Sequence, residues 1–176
     1  RRNRLRSADL MTLLPELPNL LAVYDLLAAI ATMWIGPPRL LAWERPWRRR
    51  YQRPTAKAPV TVRLPASAVF DVDGEIATLL LIPDLATYPL RVFRTPLDHL
   101  LALRASQAGE LPTLVVATTD VKRAAAWHGL LEDRRAAHSE ASLSACIATW
   151  DNLSVTLNDL RHDLPTTSPS TPRSIQ

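Results

Sequence analysis

The sequence predicts an α/β fold, a mixed sheet with helices packed on it, and three observations lead there. Segments with the three-and-four apolar spacing of helices alternate with short runs that read as strands. The run "EIATLLLI" begins by alternating and becomes continuously apolar, as a strand covered on both faces does. Asp73-Gly74 separates it from "AVFDV" and is the strongest hairpin signal in the chain. With 47% apolar and 22% charged residues in 176, the composition supports one packed domain rather than a disordered polymer.

The first element is a helix from Leu17 to Trp34. Leu17, Leu20, Leu21, Tyr24, Leu27, Ala28, Ala31 and Trp34 recur at helical spacing and are expected to form its buried face. Pro18 suits the first turn and Gly36-Pro37-Pro38 the stop. The segment is short of a membrane span and carries Asp25 in its middle, so it reads as a core helix. "RLLAWERPW" is then extended up to Pro46, and "RRRYQRPTAKAP" reads as a basic loop. "VTVRL" alternates as a strand, Pro65 interrupts it, and "AVFDV" resumes before the turn.

Thr95-Pro96-Leu97-Asp98 reads as a capping box that opens a helix to about Ala105, with Leu97, Leu100, Leu101 and Leu103 inward and Gly109 closing it. "PTLVVAT" is a short buried strand. Thr119-Asp120 caps a helix from Val121 to about Ala137, with Trp127, Leu130 and Leu131 inward and Lys122, Arg123, Arg134 and Arg135 outward. "SACIATW" is the last strand, and Asp151 caps a last helix in "DNLSVTLNDL". The expected organisation is a basic connector over 1–16, a single α/β domain over 17–162, and a Pro/Ser/Thr-rich disordered tail over 163–176.

Several chemistries are excluded by residue content. The four glycines (Gly36, Gly74, Gly109, Gly129) allow neither a dinucleotide fingerprint nor a phosphate-cradling loop. The single cysteine, Cys146, rules out an intramolecular disulfide and a thiolate zinc cluster; it reads as a small buried residue in a cytoplasmic protein. "RRNRLRSADL" lacks the apolar segment and cleavage site of a secretory signal, and the absence of an initiator Met suggests a fragment. His99, His128, His138 and His162 are dispersed and read as helix-surface residues rather than ligands. Asp71, Asp73, Glu75 and Asp84 form the one acidic group able to hold a hard cation, but three of them surround a hairpin tip where exposed charges are ordinary. No metal and no cofactor is expected.

The net charge of +4 comes from 19 Arg and only two Lys, so it is almost entirely guanidinium, which pairs bidentately with phosphate or carboxylate. The charge is densest in "WERPWRRRYQRPTAK". There Arg45, Arg48, Arg49, Arg50, Arg53 and Lys57 interleave with Trp43, Trp47 and Tyr51, a mixture that neutralises phosphates and stacks on bases. The candidate nucleic-acid-binding residues are Arg45, Trp47, Arg48, Arg49, Arg50, Tyr51, Arg53 and Lys57. The alternative is a solvated loop whose aromatics pack under the sheet and whose arginines meet Glu44, Asp133 or solvent.

Several stretches resemble the bacterial replication-relaxation family: "LLAVYDLLAA", "LLAWERPWRRR", "LLLIPDLAT", "RTPLDHLLALR" and "LPTLVVATTDVKRAAAWHGLL". The likeness runs from about Leu17 to Leu160, with Asp84, Thr87, Arg94, Arg104, Arg123 and Trp127 at the matching positions. It implies a role in plasmid or mobile-element replication, an upstream winged helix that this sequence lacks, and an α/β domain similar to the PD-(D/E)XK nuclease core. That core has the order αβββαβ, here followed by α, β, α. A working nuclease of that type holds magnesium with an Asp after a Pro and with an acid-x-Lys on the next strand. Here Ala66 follows Pro65, and Ile82-Pro83-Asp84 stands at the second motif. The resemblance therefore implies a degenerate, non-catalytic fold.

The expected function is a non-catalytic accessory domain that associates with DNA in plasmid or mobile-element replication or relaxation. One alternative is a protein-interaction or scaffold domain, docking a partner or a second copy through Trp34, Trp43 and Trp47. Another is a divergent metal nuclease using Asp71, Asp73 and Asp84. No membrane association is expected.

Overall fold

The computed structural model of the chain describes residues 16–33, 39–52, 58–72, 74–106, 111–138 and 143–157. Three helices, α1 (Leu17–Met33), α2 (Arg94–Ser106) and α3 (Val121–Ala137), are combined with seven strands. These are β1 (Arg39–Glu44), β2 (Trp47–Tyr51), β3 (Val60–Leu64), β4 (Ala66–Val72), β5 (Glu75–Asp84), β6 (Thr113–Thr118) and β7 (Ala145–Thr149). Short 3₁₀ turns precede α2 (Leu90–Phe93) and follow β7 (Trp150–Asn152), the latter running into helical residues 153–157. The α/β class is as the sequence predicts. Among the described residues, no helix is long and apolar enough to cross a membrane.

Five strands form a mixed sheet in the order β1-β4-β5-β6-β7. β1, β4 and β5 pair antiparallel, whereas β5, β6 and β7 pair parallel, so β4 alone runs against the rest. β5 is the central strand, as its continuous apolar run requires. Successive side chains of a strand point to opposite faces. Leu79 and Leu81 therefore enter the core beneath α1 and residues 153–157, with Phe70, Val115 and Ala117. Leu80 and Ile82 enter the opposite core with α2, α3 and the β2–β3 ribbon. The β4–β5 hairpin closes with Val72 opposite Glu75. Gly74 has φ +89°, a left-handed value that glycine adopts without a Cβ clash, and its amide donates to Asp71 Oδ1 at 2.9 Å.

Local expectations are corrected at five places. In α1, Ala22, Val23, Leu26, Leu27 and Ile30 are buried, whereas Leu17, Leu21 and Tyr24 are exposed. Both sides of this helix are apolar, so spacing alone does not select the face. Small Ala66 and Ala68 in the sheet leave room for Val23, Leu26 and Ile30. The expected basic loop is in part strand β2, which pairs with β3 in a separate two-stranded ribbon, so "VTVRL" and "AVFDV" belong to different sheets. The 3₁₀ turn runs straight into α2, so Thr95 lies inside the helix and does not cap it. Asp151 likewise lies within a 3₁₀ turn, for which Thr149 is the cap residue. Arg123, expected outward, turns inward to Asp84. The proposed connector apart from Glu16, the tail over 163–176, Trp34, Gly36-Pro37-Pro38, Asp73, Gly109 and His162 lie outside the described residues.

Candidate functional site

The parallel pairing of β5 with β6 places Asp84 opposite Thr118, at the C-terminal ends of both strands. α3 begins three residues after Thr118. Asp120 caps it, its Oδ1 accepting from the Arg123 amide at 2.8 Å. This hydrogen bond, helped by the Thr119 hydroxyl and by Lys122, holds the Asp120 carboxyl below its ordinary value of 3.8. The first turn of α3 thus carries Arg123 alongside Asp84, and Trp127 follows one turn later on the same side.

Asp84 is 3% exposed and all its acceptor capacity is directed inward. Its Oδ2 accepts from Arg123 Nε and from Trp127 Nε1, both at 2.6 Å. Its Oδ1 accepts from Arg123 Nη2 at 3.1 Å and from the Ala86 amide at 3.0 Å. Arg123 Nη2 also donates to the Tyr88 carbonyl at 2.7 Å. The Ala86 bond helps hold that residue at φ +56°, a conformation that costs an L-residue roughly 1–2 kcal/mol. Phe93, from the 3₁₀ turn, packs its ring 4.7 Å from that of Trp127. Asp84, Arg123 and Trp127, three of the six positions matched in the sequence reading, therefore meet in one knot around the buried Asp84 carboxylate.

Beside the knot lies a cleft of about 650 Å³, lined among others by Asn19, Arg45, Arg63, Pro65, Pro83 and Tyr88. Pro65 and Pro83, from the two proline-marked segments, thus both line one cleft. Ala66 and Ile82 belong instead to opposite cores, at 0% and 1% exposure. Asp71 pairs with Ile76, eight residues before Asp84 on β5, a separation of roughly 27 Å at about 3.4 Å per residue. Asp84 is thus separated from Asp71 and Glu75, which stay together at the hairpin, and no cluster of three His, Cys, Asp or Glu among the described residues is placed to hold a metal ion.

The ribbon redistributes the candidate nucleic-acid-binding residues. Trp47 opposes Leu64 and Tyr51 opposes Val60, and both aromatics are buried in the core with α2. They are unavailable for stacking on bases, which corrects the expectation for this pair. Arg49 shares their side of the strand. Its Nη1 meets Glu44 Oε2 at 3.0 Å and the Arg48 carbonyl at 2.7 Å, and its guanidinium lies 5.0 Å from the Trp47 ring centre. Arg45 lines the cleft, 3.9 Å from Glu16. Arg53 and Lys57 lie outside the described residues.

Arg48 and Arg50 face the other way, outward. Arg48 stands directly opposite Arg63, and Arg50 opposite Thr61, so three guanidiniums share one exposed face. No ion pair among the described residues involves any of the three. Like charges directly opposed across strands are destabilising. Arg63 also lines the cleft, so this face leads into it. Sequence reasoning did not select Arg63, although the alternation of "VTVRL" already places it outward with Thr61. Comparison of the chain with protein-family models, with curated proteins and with solved structures gives no match.

Proposed function

We propose that this chain is a non-catalytic domain that associates with nucleic acid, engaging phosphates through the outward face of the β2–β3 ribbon. The observation that carries the reading is the Arg48–Arg63 opposition, with Arg50 beside it. The arrangement costs folding energy and has no counter-charge paired to it among the described residues, and a polyanion relieves it while releasing condensed counterions. A two-stranded ribbon also has the dimensions to enter a major groove. The non-catalytic part rests on Asp84, whose oxygens are occupied by Arg123, Trp127 and Ala86, and on Ala66 and Ile82, which are buried.

The finer reading is a degenerate PD-(D/E)XK-like core of the replication-relaxation family, working in the cytoplasm on plasmid or mobile-element DNA. It is supported by the five-strand order with β4 alone reversed and by the meeting of Asp84, Arg123 and Trp127.

Fluorescence anisotropy with labelled duplex and single-stranded DNA at low salt tests the reading. The triple variant R48E/R50E/R63E should abolish binding. R49E, on the inner side and paired with Glu44, should change binding far less. Undetectable binding by the unaltered chain at low salt, or equal binding by the triple variant, ends the proposal. A second reading, docking of a protein partner, is favoured by the exposed Trp43, and β1 gives it a definite form.

A further inference from the structure

We infer that β1 is the contact through which two copies of this chain associate, antiparallel about a two-fold axis, independently of nucleic acid. β1 ends the sheet order, so among the described residues one of its edges is unpaired, and every one of its six residues is exposed. Leu40, Leu41 and Trp43 are 40%, 45% and 44% exposed. Leu17, Leu21 and Tyr24 on α1 add to this surface, because the Tyr24 and Trp43 rings meet edge to face at 5.5 Å. An apolar patch that joins a helix stripe to a free strand edge marks an association surface.

Charge complementarity identifies the occupant. β1 reads Arg39-Leu40-Leu41-Ala42-Trp43-Glu44, basic at one end and acidic at the other. Run antiparallel against itself, it sets Arg39 against Glu44 of the second copy, Leu40 against Trp43, and Leu41 against Ala42. The contact occurs twice by symmetry, as an isologous interface requires.

Facing residues must also lie on the same side of the sheet, and a regular strand of this length would violate that. The bulge between Leu40 and Ala42 removes the conflict. Leu40 and Trp43 oppose Phe70 and Ala68, which face α1, whereas Arg39 and Glu44 oppose Asp71 and Ser67 on the other side. Apolar thus meets apolar on the α1 side, and charge meets opposite charge on the other. None of the ion pairs among the described residues uses Arg39. Glu44, which already meets Arg49, has a second oxygen to offer.

Sedimentation velocity of the full chain without nucleic acid, over a range of concentrations, tests this. The chain should dimerise, and R39E and E44R, which each place two like-charge pairs in the interface, should each raise the dimer dissociation constant by about tenfold or more. Mixed in equal amounts, the two variants should recover the dimer as a heterodimer, because each then supplies the charge the other lacks. A chain that is monomeric at every concentration overturns the inference and leaves the face to residues outside the described ones, such as 1–15, or to another protein. A dimer that ignores the single reversals, or that mixing does not rescue, overturns it as well.

Discussion

At the ends of β5 and β6, Asp84 is withdrawn from water with both carboxylate oxygens matched by protein donors and Arg123 half-buried against it, while on the β2–β3 ribbon Arg48, Arg50 and Arg63 crowd one exposed face with no carboxylate paired to them among the described residues. In the knot, removing one partner strands the others in a low-dielectric setting, so the charges are inseparable from the fold. On the ribbon, solvent screens each guanidinium and the fold loses nothing by its removal. Charge that the fold requires is therefore poor material for recognition, and charge that the fold merely tolerates is available for it.

The strongest way to break this contrast is Asp84→Ala, which leaves the half-buried Arg123 guanidinium without its counter-charge, held only by the Tyr88 carbonyl, and the buried indole N–H of Trp127 unpaired. It should cost about 3–5 kcal/mol in urea denaturation, and a loss under 1 kcal/mol by this rough scale would show that the knot does not hold the fold. Trp127→Phe keeps most of the ring packing but removes one donor to Asp84, for an expected loss of about 1–3 kcal/mol by the same measurement.

Asp120 sharpens the comparison through pH. Its carboxyl is held below 3.8 in the folded chain, so its contribution is complete above that value and is lost as pH falls through the lowered folded value. Asp120→Ala should therefore be less stable than the parent at neutral pH, and the gap should close below pH 3.8 in acid titrations followed by circular dichroism. The smallest effect belongs to the ribbon. Arg48→Thr, which relieves the opposition to Arg63, should shift stability by no more than about 0.5 kcal/mol, and upward if at all. DNA affinity should fall in the same variant.

Much of the layout is legible in the residues. The apolar run of β5 marks the sheet centre, Asp73-Gly74 the hairpin, and the spacing of Trp127, Leu130 and Leu131 the inner face of α3. The face of α1 is not legible, because a helix apolar on both sides takes its orientation from the sheet beneath it. β2 is hidden because Arg49 breaks the apolar–polar alternation between Trp47 and Tyr51, and only pairing with Val62 restores the pattern. The two charge groups depend on pairings that no local window contains. Asp84 and Arg123 are 39 residues apart, and Arg48 meets Arg63 only when the ribbon closes.

The lone thiol at Cys146, 4% exposed, lies in the core that α1 and residues 153–157 share, in a strand at the far edge of the sheet from β1. A thiol reagent added to the intact protein therefore has one target and must wait for the layer above it to open. The labelling rate becomes an internal clock for that opening. A cysteine introduced at exposed Glu75, on the hairpin tip, could be tagged within that waiting time and carry a dye on a surface remote from the cleft.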